Sequence, residues 1–415
     1  MCSIKKPYKS MLNIDSNFIE LYGEITDFQI QRYNDAFSKF KSIYSCSEAY
    51  IVSSSGRVEV CGNHTDHNGG KVVCCTISLD SLGMFLPNEE NVIRVFSENF
   101  ANLYVDLNKP FNVQKGTSNA IIMGIVQGFK NKGFNIGGFN AYVTSNVLLG
   151  AGISSSASFE LLIAEILSFL YNDDAVSEKD KAIISQYSEK EFFGKPCGLL
   201  DQCAISYGGL RMFDFSKPND IIVEEINDNL ADYSFVLINT GGTHENLTDE
   251  YASVSREMFE VAKCFGKERL IEVSEEEFYS KLPIFFNKVQ DRAISRAIHF
   301  FNENKRVEDL HQSLRYKDYK KFLGCIKKSG ISSVIKLQNC YVSASNEQPI
   351  IKALSVCEKF FNDGANRVHG GGFAGCILNV VNNNEVDNFI ENITPLFGSE
   401  NITKLKLRTV GTTVL

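Results

Sequence analysis

The sequence contains no apolar segment long enough to cross a membrane. A membrane-spanning helix needs about 18 consecutive apolar residues, and the best candidate, Leu161 to Leu170, is interrupted by Glu165 and Ser168. Residues 1–12 contain lysines but no continuous apolar stretch, so a secretory signal is not expected. We therefore expect a protein that is neither inserted in a membrane nor secreted.

Basic residues are fewer than acidic residues. The 415 residues include 42 Lys and Arg against 50 Asp and Glu, which gives a formal net charge of −8. Extended binding to nucleic acid or to an anionic membrane needs a basic face, and this balance argues against both partners. Any anionic ligand must therefore be held by a local arrangement of donors and cations.

Paired cysteine motifs are also absent. The 12 cysteines are scattered, no Cys-x-x-Cys occurs, and the adjacent Cys74 and Cys75 are poorly placed to bridge each other. Reduced thiols that pack as small apolar side chains explain this pattern best. The expected compartment is therefore the cytoplasm.

The length and the residue pattern indicate two domains. A single core stops growing at about 250–300 residues, and 44% apolar with 22% charged residues is typical of a globular chain. Strand patterns such as Ser234 to Asn239 mix with helical stretches such as Ser155 to Tyr171 without regular alternation, and Lys404 to Leu415 is predicted to close the chain as a strand. We predict an α+β fold with domains at residues 1–215 and 216–415.

A glycine- and serine-rich segment, Gly150 to Ser158, joins a predicted strand to an apolar helix. Glycines let backbone N–H groups turn toward one point, and the helix N-terminus adds about half a positive charge there. The segment lacks the Gly-Lys-Ser/Thr of a Walker A loop and the third glycine of the dinucleotide fingerprint. It predicts a phosphate-binding loop, with a serine-rich helix cap as the alternative.

A second cluster, Gly56 to Gly70, packs polar side chains between glycines directly after a predicted strand. Carboxylate and imidazole groups in such a loop can hydrogen-bond a polyol. His64, Asp66 and His67 could instead ligate a metal, although neighbouring residues of a strand point apart. An exposed polar turn would explain the glycines but not the density of His and Asp.

A third cluster, Arg367 to Gly375, contains three successive glycines and leads into a predicted strand. Such a run allows unusually close approach of the backbone to another group. Taken alone, it is explained equally well by a tight hairpin.

In their order and spacing, these three clusters resemble the three motifs of the GHMP small-molecule kinases, and Gly56 to Gly70 resembles the galactokinase signature. Glu189 to Gln202, His244 to Tyr251 and Asp291 to Val307 are similar to further galactokinase segments. The resemblance implies a two-domain GHMP fold with ATP and a sugar in the cleft between the domains. It also implies transfer of the γ-phosphoryl group to the anomeric hydroxyl of a hexose, with Mg²⁺ as the metal.

The resemblance also implies residue roles. Asp201 would be the base facing the anomeric hydroxyl, with Arg57 as its cationic partner, a pair that suits a reaction driven by positioning and charge stabilisation. Ser156 or Ser155 would bind Mg²⁺ together with Glu189. The triphosphate would be wrapped by Gly150, Gly152, Ser154, Ser155 and Ser156. The sugar would meet Asn63, His64, Asp66, the backbone of Gly198, and Tyr251.

The second cluster, Gly56 to Gly70, is called the sugar loop below. Two of its positions depart from the galactokinase pattern, which has Glu where this chain has Asn63 and commonly Tyr where it has His67. An amide at residue 63 can still hydrogen-bond galactose, but it also removes a repulsion against the C6 carboxylate of galacturonate. The residue pattern therefore favours galactose while leaving galacturonate or N-acetylgalactosamine open. If the amide is a mere substitute for the carboxylate, Asn63→Glu should improve galactose use, and by repulsion it should impair the use of a uronic acid. The segment Ser329 to Asn339 also matches the galactokinase pattern poorly.

A non-catalytic sensor of sugar and ATP is an alternative of another class. The presence of Asp201, Arg57 and the serines of the phosphate loop favours an enzyme over a sensor. The expected partners are the sugar and ATP alone, and a monomer is favoured.

Overall fold

The computed structural model describes residues 15–98, 101–148, 150, 152–217, 220–241, 247–342, 345–373 and 375–415. Its helices are Asp15–Tyr22 (α1), Asp27–Tyr44 (α2), Ser118–Asn131 (α3), Ser155–Tyr171 (α4), Glu178–Tyr187 (α5), Leu200–Tyr207 (α6), Thr248–Lys263 (α7), Glu275–Phe285 (α8), Asp291–Arg315 (α9), Tyr319–Ser332 (α10), Pro349–Cys357 (α11) and Val386–Phe397 (α12). None of these helices is both long enough and apolar enough to cross a membrane.

The strands of the described residues are Tyr50–Cys61 (β1), Lys71–Pro87 (β2), Val92–Ser97 (β3), Leu103–Asp106 (β4), Phe139–Ser145 (β5), Leu210–Asp214 (β6), Ile222–Glu225 (β7), Tyr233–Asn239 (β8), Gly364–Val368 (β9), Cys376–Asn382 (β10), Ile402–Leu405 (β11), Leu407–Arg408 (β12) and Thr413–Val414 (β13). Helices and strands thus mix without regular alternation, and the predicted α+β class is confirmed. The helix predicted over Ser155 to Tyr171 has the observed bounds of α4.

Two sheets organise the molecule. Within the described residues, the first has nine strands, ordered β13-β1-β2-β5-β3-β4, with β12 and β6 also pairing with β2 and β7 pairing with β6. The second has the order β11-β8-β10-β9. Every pair is antiparallel except β3 with β5, which is parallel.

The prediction of one closing strand from Lys404 to Leu415 was wrong. The chain forms three short strands there, because β11 pairs with β8 in the second sheet whereas β12 and β13 pair with β2 and β1 in the first. A segment that crosses from one sheet to the other cannot continue a single ladder. The domain boundary at residue 215 stays a prediction; β7, which lies beyond it, pairs with the first sheet.

The cores explain how the site is positioned. One apolar cluster packs α3 and α4 against the first sheet, with Leu162 and Ile166 of α4 fully buried. Another joins β1 and β2 to α9, α10 and the second sheet, and includes Val58 and Leu378. β1 is buried along almost its whole length, and the residues of its C-terminal half pack in the cluster that reaches the second sheet.

Candidate active site

A cavity of about 540 Å³ lies where β1, its following loop, α6 and α7 come together. It is lined by many of the residues singled out in the sequence, namely Arg57, Asn63, His64, Asp66, Glu189, Gly198, Asp201 and Tyr251. Gly370 and Gly371 of the third cluster also line it. Residues that are more than three hundred positions apart in the chain thus share one site.

Arg57 and Asp201 form an ion pair in the cavity wall. Arg57 Nε donates to Asp201 Oδ1 at 2.8 Å, Nη2 lies 2.7 Å from the same oxygen, and Nη1 donates to the carbonyl of Gly152. The Arg57 side chain is 6% exposed and that of Asp201 is 36% exposed. The carboxylate therefore faces the cavity while its cation is held behind it.

The charge state of Asp201 follows from these contacts. Burial acts to raise its pKa, but the Arg57 guanidinium and the hydrogen bond from Ser154 Oγ outweigh burial and hold the pKa below its usual value. Asp201 is therefore a carboxylate at neutral pH. It offers an acceptor to a bound hydroxyl group.

The phosphate loop adjoins this pair. Ser154 is the N-cap of α4, but at φ 64° its hydroxyl turns to Asp201 instead of capping the helix. The Ser154 hydroxyl therefore does not cap the first N–H groups of α4, those of Ser155 and Ser156. These groups lie at the positive end of the helix dipole. Gly150 and Gly152 have φ of 73° and 69°, which side chains rarely adopt, so both glycines are needed for the turn.

Asp66 and Gly198 are in direct contact. A Cβ added at Gly198 would lie only 1.6 Å from Asp66 Oδ2, and the N–H of Leu200 donates to the same oxygen at 3.4 Å. Burial and the nearby Asp201 raise the pKa of Asp66 to about 6. The glycine thus leaves room for a carboxylate whose charge changes just below neutral pH.

The rings of His64 and Tyr251 are neighbours, with centroids 5.3 Å apart. His64 Nε2 is hydrogen-bonded to the carbonyl of Gly371 at 3.0 Å, and burial lowers the pKa of His64, so its ring is neutral and donates this bond. A Cβ at Gly371 would fall 2.0 Å from the Tyr251 ring. The absence of a side chain at Gly371 therefore lets the Tyr251 ring pack against the third cluster. A tight hairpin alone would not require this contact.

The side-chain amide of Asn63, which lines the cavity, is already engaged within the protein. Its side chain is fully buried: Nδ2 donates to Glu59 Oε1 at 3.0 Å and to the Gly370 carbonyl at 2.9 Å. Its Oδ1 accepts from Asn339 Nδ2 at 2.8 Å. Since both amide hydrogens are already donated, Asn63 positions the sugar loop against the third cluster.

Glu189 and Ser156 lie together, as a magnesium site requires. Ser156 Oγ is 3.4 Å from Glu189 Oε1, which also accepts from Lys195 Nζ at 3.0 Å. Gln202 Nε2 donates to Glu189 and to Glu160, whose Oε1 is buried without a hydrogen-bond partner in the described residues. Hard oxygen donors of this kind suit Mg²⁺.

The sugar loop does not form a metal site of its own. Across the described residues, no three His, Cys, Asp or Glu side chains converge in a way that could hold a metal ion. His64 and His67 are engaged instead with Gly371 and with Asn68 Nδ2, which lies 2.8 Å from His67 Nδ1. A metal at Ser156 and Glu189 would need phosphate and water to complete its shell.

Three residues in or beside the cavity were not assigned from the sequence. Lys195 brings a cation to the cavity, and its place between Gly194 and Pro196 in a galactokinase-like segment was the available signal. Glu59 lines the cavity and pairs with the fully buried Arg367 at 2.6 Å. Asn339 lies in the segment that matched the galactokinase pattern poorly, so no motif pointed to it.

Two family models match parts of this chain, and curated proteins are similar to most of it. The model of the galactokinase galactose-binding signature matches residues 38–85, and that of the GHMP kinases N terminal domain matches residues 120–209. The galactokinase of Clostridium perfringens (strain SM101 / Type A) is 30% identical over 352 residues, which cover 83% of this chain and 88% of that protein. The galactokinase of Clostridium tetani is 29% identical over 370 residues, covering 87% and 91%.

Solved structures show the same fold. Galactokinase of Lactococcus lactis, complexed with galactose, has a TM-score of 0.81 at 22% identity and covers 92% of this chain and 100% of its own. A mevalonate kinase has a TM-score of 0.62 at 16% identity, covering 86% and 99%. With 30% identity to a galactokinase across most of both chains and both family models matched, this chain belongs to the galactokinase family of the GHMP kinases.

Proposed function

We propose that this protein is a galactokinase that transfers the γ-phosphoryl group of ATP to the C1 hydroxyl of galactose. The observation that carries the proposal is the ionised Asp201, which accepts from both Arg57 and Ser154 at the junction of the phosphate loop and the sugar loop. The curated relatives named above carry the same activity in their names.

Asp201 would orient the hydroxyl group that attacks. With a pKa below its usual value it is a weak base, so it would accept a hydrogen bond from the C1 hydroxyl and take the proton as the new bond to phosphorus forms. Phosphoryl transfer has a loose transition state that needs positioning more than a strong base. Arg57 would keep Asp201 ionised throughout.

The phosphate loop would bind the triphosphate through the uncapped N–H groups of α4 and the turn at Gly150 and Gly152. Ser156 and Glu189 would hold Mg²⁺, which when bound neutralises charge on the phosphates. Lys195 would be released from Glu189 as the cation and nucleotide enter, and it would then face phosphate oxygens.

The identity of the sugar is supported by the carboxylates around the sugar loop. Glu59 Oε1 lies 3.0 Å from the amide of Asn63 and Glu59 lines the same cavity, but Arg367 balances its charge. Asp66 adds a negative charge above pH 6. A sugar acid would meet the carboxylate of Asp66, so a neutral hexose such as galactose is the better substrate.

A coupled assay of ADP release tests the proposal over galactose, N-acetylgalactosamine, galacturonate and arabinose. We expect turnover with galactose to exceed that with galacturonate by at least about a hundredfold. Binding of galactose without turnover would establish a sensor in place of a kinase. A preference for galacturonate would contradict the choice of substrate.

Gly198→Ala is expected to raise the KM for galactose at least about tenfold, because its Cβ would displace Asp66 from the sugar site. The KM for ATP should change little. Gly324→Ala is the matched control, since a Cβ there meets no atom within 4 Å in the described structure. Steady-state kinetics decide, and equal effects of the two variants on galactose would remove Asp66 from the sugar site.

The pH dependence of galactose binding should report Asp66. As the pH falls through about 6, Asp66 gains a proton and can no longer accept from two sugar hydroxyls, so the KM for galactose should rise. Between its ordinary value and about 6, the folded state binds more protons than the unfolded state, so the free energy of unfolding falls as pH rises.

Asp66→Asn should therefore be about 3 kcal/mol more stable than the wild type at pH 7.5, while binding galactose weakly. Urea unfolding at pH 4 and pH 7.5 measures the first effect, and calorimetric titration with galactose measures the second. A variant that lost stability at pH 7.5 would contradict the assignment.

A further inference from the structure

A second cavity, of about 570 Å³, is formed by α9, α10 and the turn between them. It shares no lining residue with the active-site cavity. Its cations are Lys305, Arg306, Lys320, Lys321 and Lys328. Such a concentration of positive charge is unusual in a chain whose net charge is −8, and a basic concavity raises the local concentration of anions.

Three of these cations are paired, Lys305 with Glu275, Arg306 with Glu303 and Lys321 with Asp309, and the rest of the charge is not neutralised. Asp309 and Asp318 also line the cavity, and Lys321 Nζ pairs with Asp309 Oδ1 at 2.8 Å. Asp318 instead accepts from the backbone N–H of Lys321 as the N-cap of α10. Within the described residues, no ion pair engages Lys320 or Lys328. An entering anion would therefore meet two free ammonium groups as well as the guanidinium of Arg306.

Arg306 connects the cavity to the active site. It donates to Glu303 Oε2, and the other oxygen of this fully buried carboxylate accepts from the N–H of Gly62 at 3.1 Å and from Ser329 Oγ. Gly62 directly precedes Asn63 in the sugar loop. The hydrogen bonds of Glu303 thus join a cation of the second cavity to the backbone that carries the sugar-binding residues.

We propose that this cavity binds a small phosphoanion, an inorganic polyphosphate or a phosphate ester, and that the anion weakens galactose binding by competing with Glu303 for Arg306. The volume suits a ligand of this size, and ammonium and guanidinium groups are the usual partners of phosphate oxygens. The cavity is separate from the active-site cavity, so its occupation does not depend on the proposed reaction, whereas the effect on galactose binding rests on the proposed function.

Calorimetric titration of the full chain, saturated with galactose and Mg·ADP, tests the site. Inorganic pyrophosphate and galactose 1-phosphate are the two probes, which separate an inorganic anion from a sugar phosphate, with sodium chloride at equal ionic strength as a blank. We expect at least one probe to bind, and to bind about tenfold more weakly to K320Q/K328Q. K327Q/K359Q, which removes two exposed lysines outside the cavity, should bind as the wild type does.

The coupling is measured separately, from the Kd for galactose with and without the bound probe. We expect the bound probe to raise the Kd for galactose at least about threefold in the wild type. In K320Q/K328Q the same concentration of probe should leave the Kd for galactose unchanged. Absence of binding by both probes, or equal binding by both double variants, would overturn the site. Binding with an unchanged Kd for galactose would overturn the coupling through Arg306.

Discussion

Asp201→Asn is expected to lower kcat by about 10²–10⁴-fold while galactose binding persists within a few-fold. The asparagine keeps the shape of the side chain and can still accept from Arg57, but it cannot take the proton of the C1 hydroxyl. Single-turnover phosphorylation and calorimetric titration with galactose separate the two effects. A kcat within tenfold of the wild type would show that Asp201 is not the base.

The matched control is Ser154→Ala, which removes one hydrogen bond to Asp201 and leaves the carboxylate. Its kcat should fall by only about tenfold, the value of one charge-assisted hydrogen bond. The asparagine variant should also unfold more readily, because Arg57 is 6% exposed and would lose its counter-ion. Equal loss of kcat in both variants would point to the serine and not to the carboxylate as the critical group.

The pH dependence of kcat and of the KM for galactose provides an independent check on the roles of Asp201 and Asp66. The pKa of Asp201 is lowered by Arg57 and Ser154 against the effect of burial, whereas the pKa of Asp66 is raised to about 6 by burial and by Asp201. Protonation near pH 6 should therefore act on KM for galactose, while kcat at saturating galactose stays constant to a lower pH. A loss of kcat near pH 6 would reverse the two assignments.

The sequence was sufficient for the parts of the site that depend on local motifs. A strand ending in a glycine turn and followed by serines at a helix start predicts the phosphate loop, and α4 begins at Ser155 as expected. The likeness of Glu189 to Gln202 to galactokinases brought Asp201 into the site before any contact was known. The start of α4 is thus confirmed, because the motif builds its geometry from neighbouring residues, whereas the roles of the phosphate loop and of Asp201 stay predictions.

The buried support of the site could not be predicted in the same way. Asn63 and Asn339 lie 276 positions apart, yet their amides are joined at 2.8 Å. Both residues lie in parts of the sequence that depart from the galactokinase pattern. The two departures from the pattern are therefore in direct contact, and together they form one altered hydrogen-bond network. No local pattern in a single sequence shows such a pairing.

The same limit applied to the end of the chain. The run from Lys404 to Leu415 has the composition of a strand, and strand propensity depends strongly on the sheet that a segment joins. Because two sheets compete for this run, Leu405 pairs in one and Arg408 in the other. Local composition indicates that the residues are extended, but it does not indicate which strand they pair with.

Asn63→Glu is expected to destabilise the protein by about 3–5 kcal/mol, in contrast to the gain in galactose use that the sequence alone suggested. The new carboxylate would replace an amide that donates to Glu59 and to the Gly370 carbonyl, and it would face both acceptors without a hydrogen to offer. Burial next to Glu59 would force the pair to take up one proton, and that single hydrogen cannot replace the two that the amide donates. Thermal and urea unfolding measure the loss.

A double-mutant cycle with Glu59→Gln tests this explanation. Glu59→Gln alone should also destabilise the protein, because the fully buried Arg367 loses the carboxylate at 2.6 Å. In E59Q/N63E the single remaining carboxylate can pair with Arg367 and accept from the new amide, so the double variant should be more stable than the sum of the single losses allows, by about 1–3 kcal/mol. Additive losses would mean that residues 59 and 63 do not share one charge network. In that case the amide at residue 63 would have to be explained by contact with the sugar, as the sequence alone suggested.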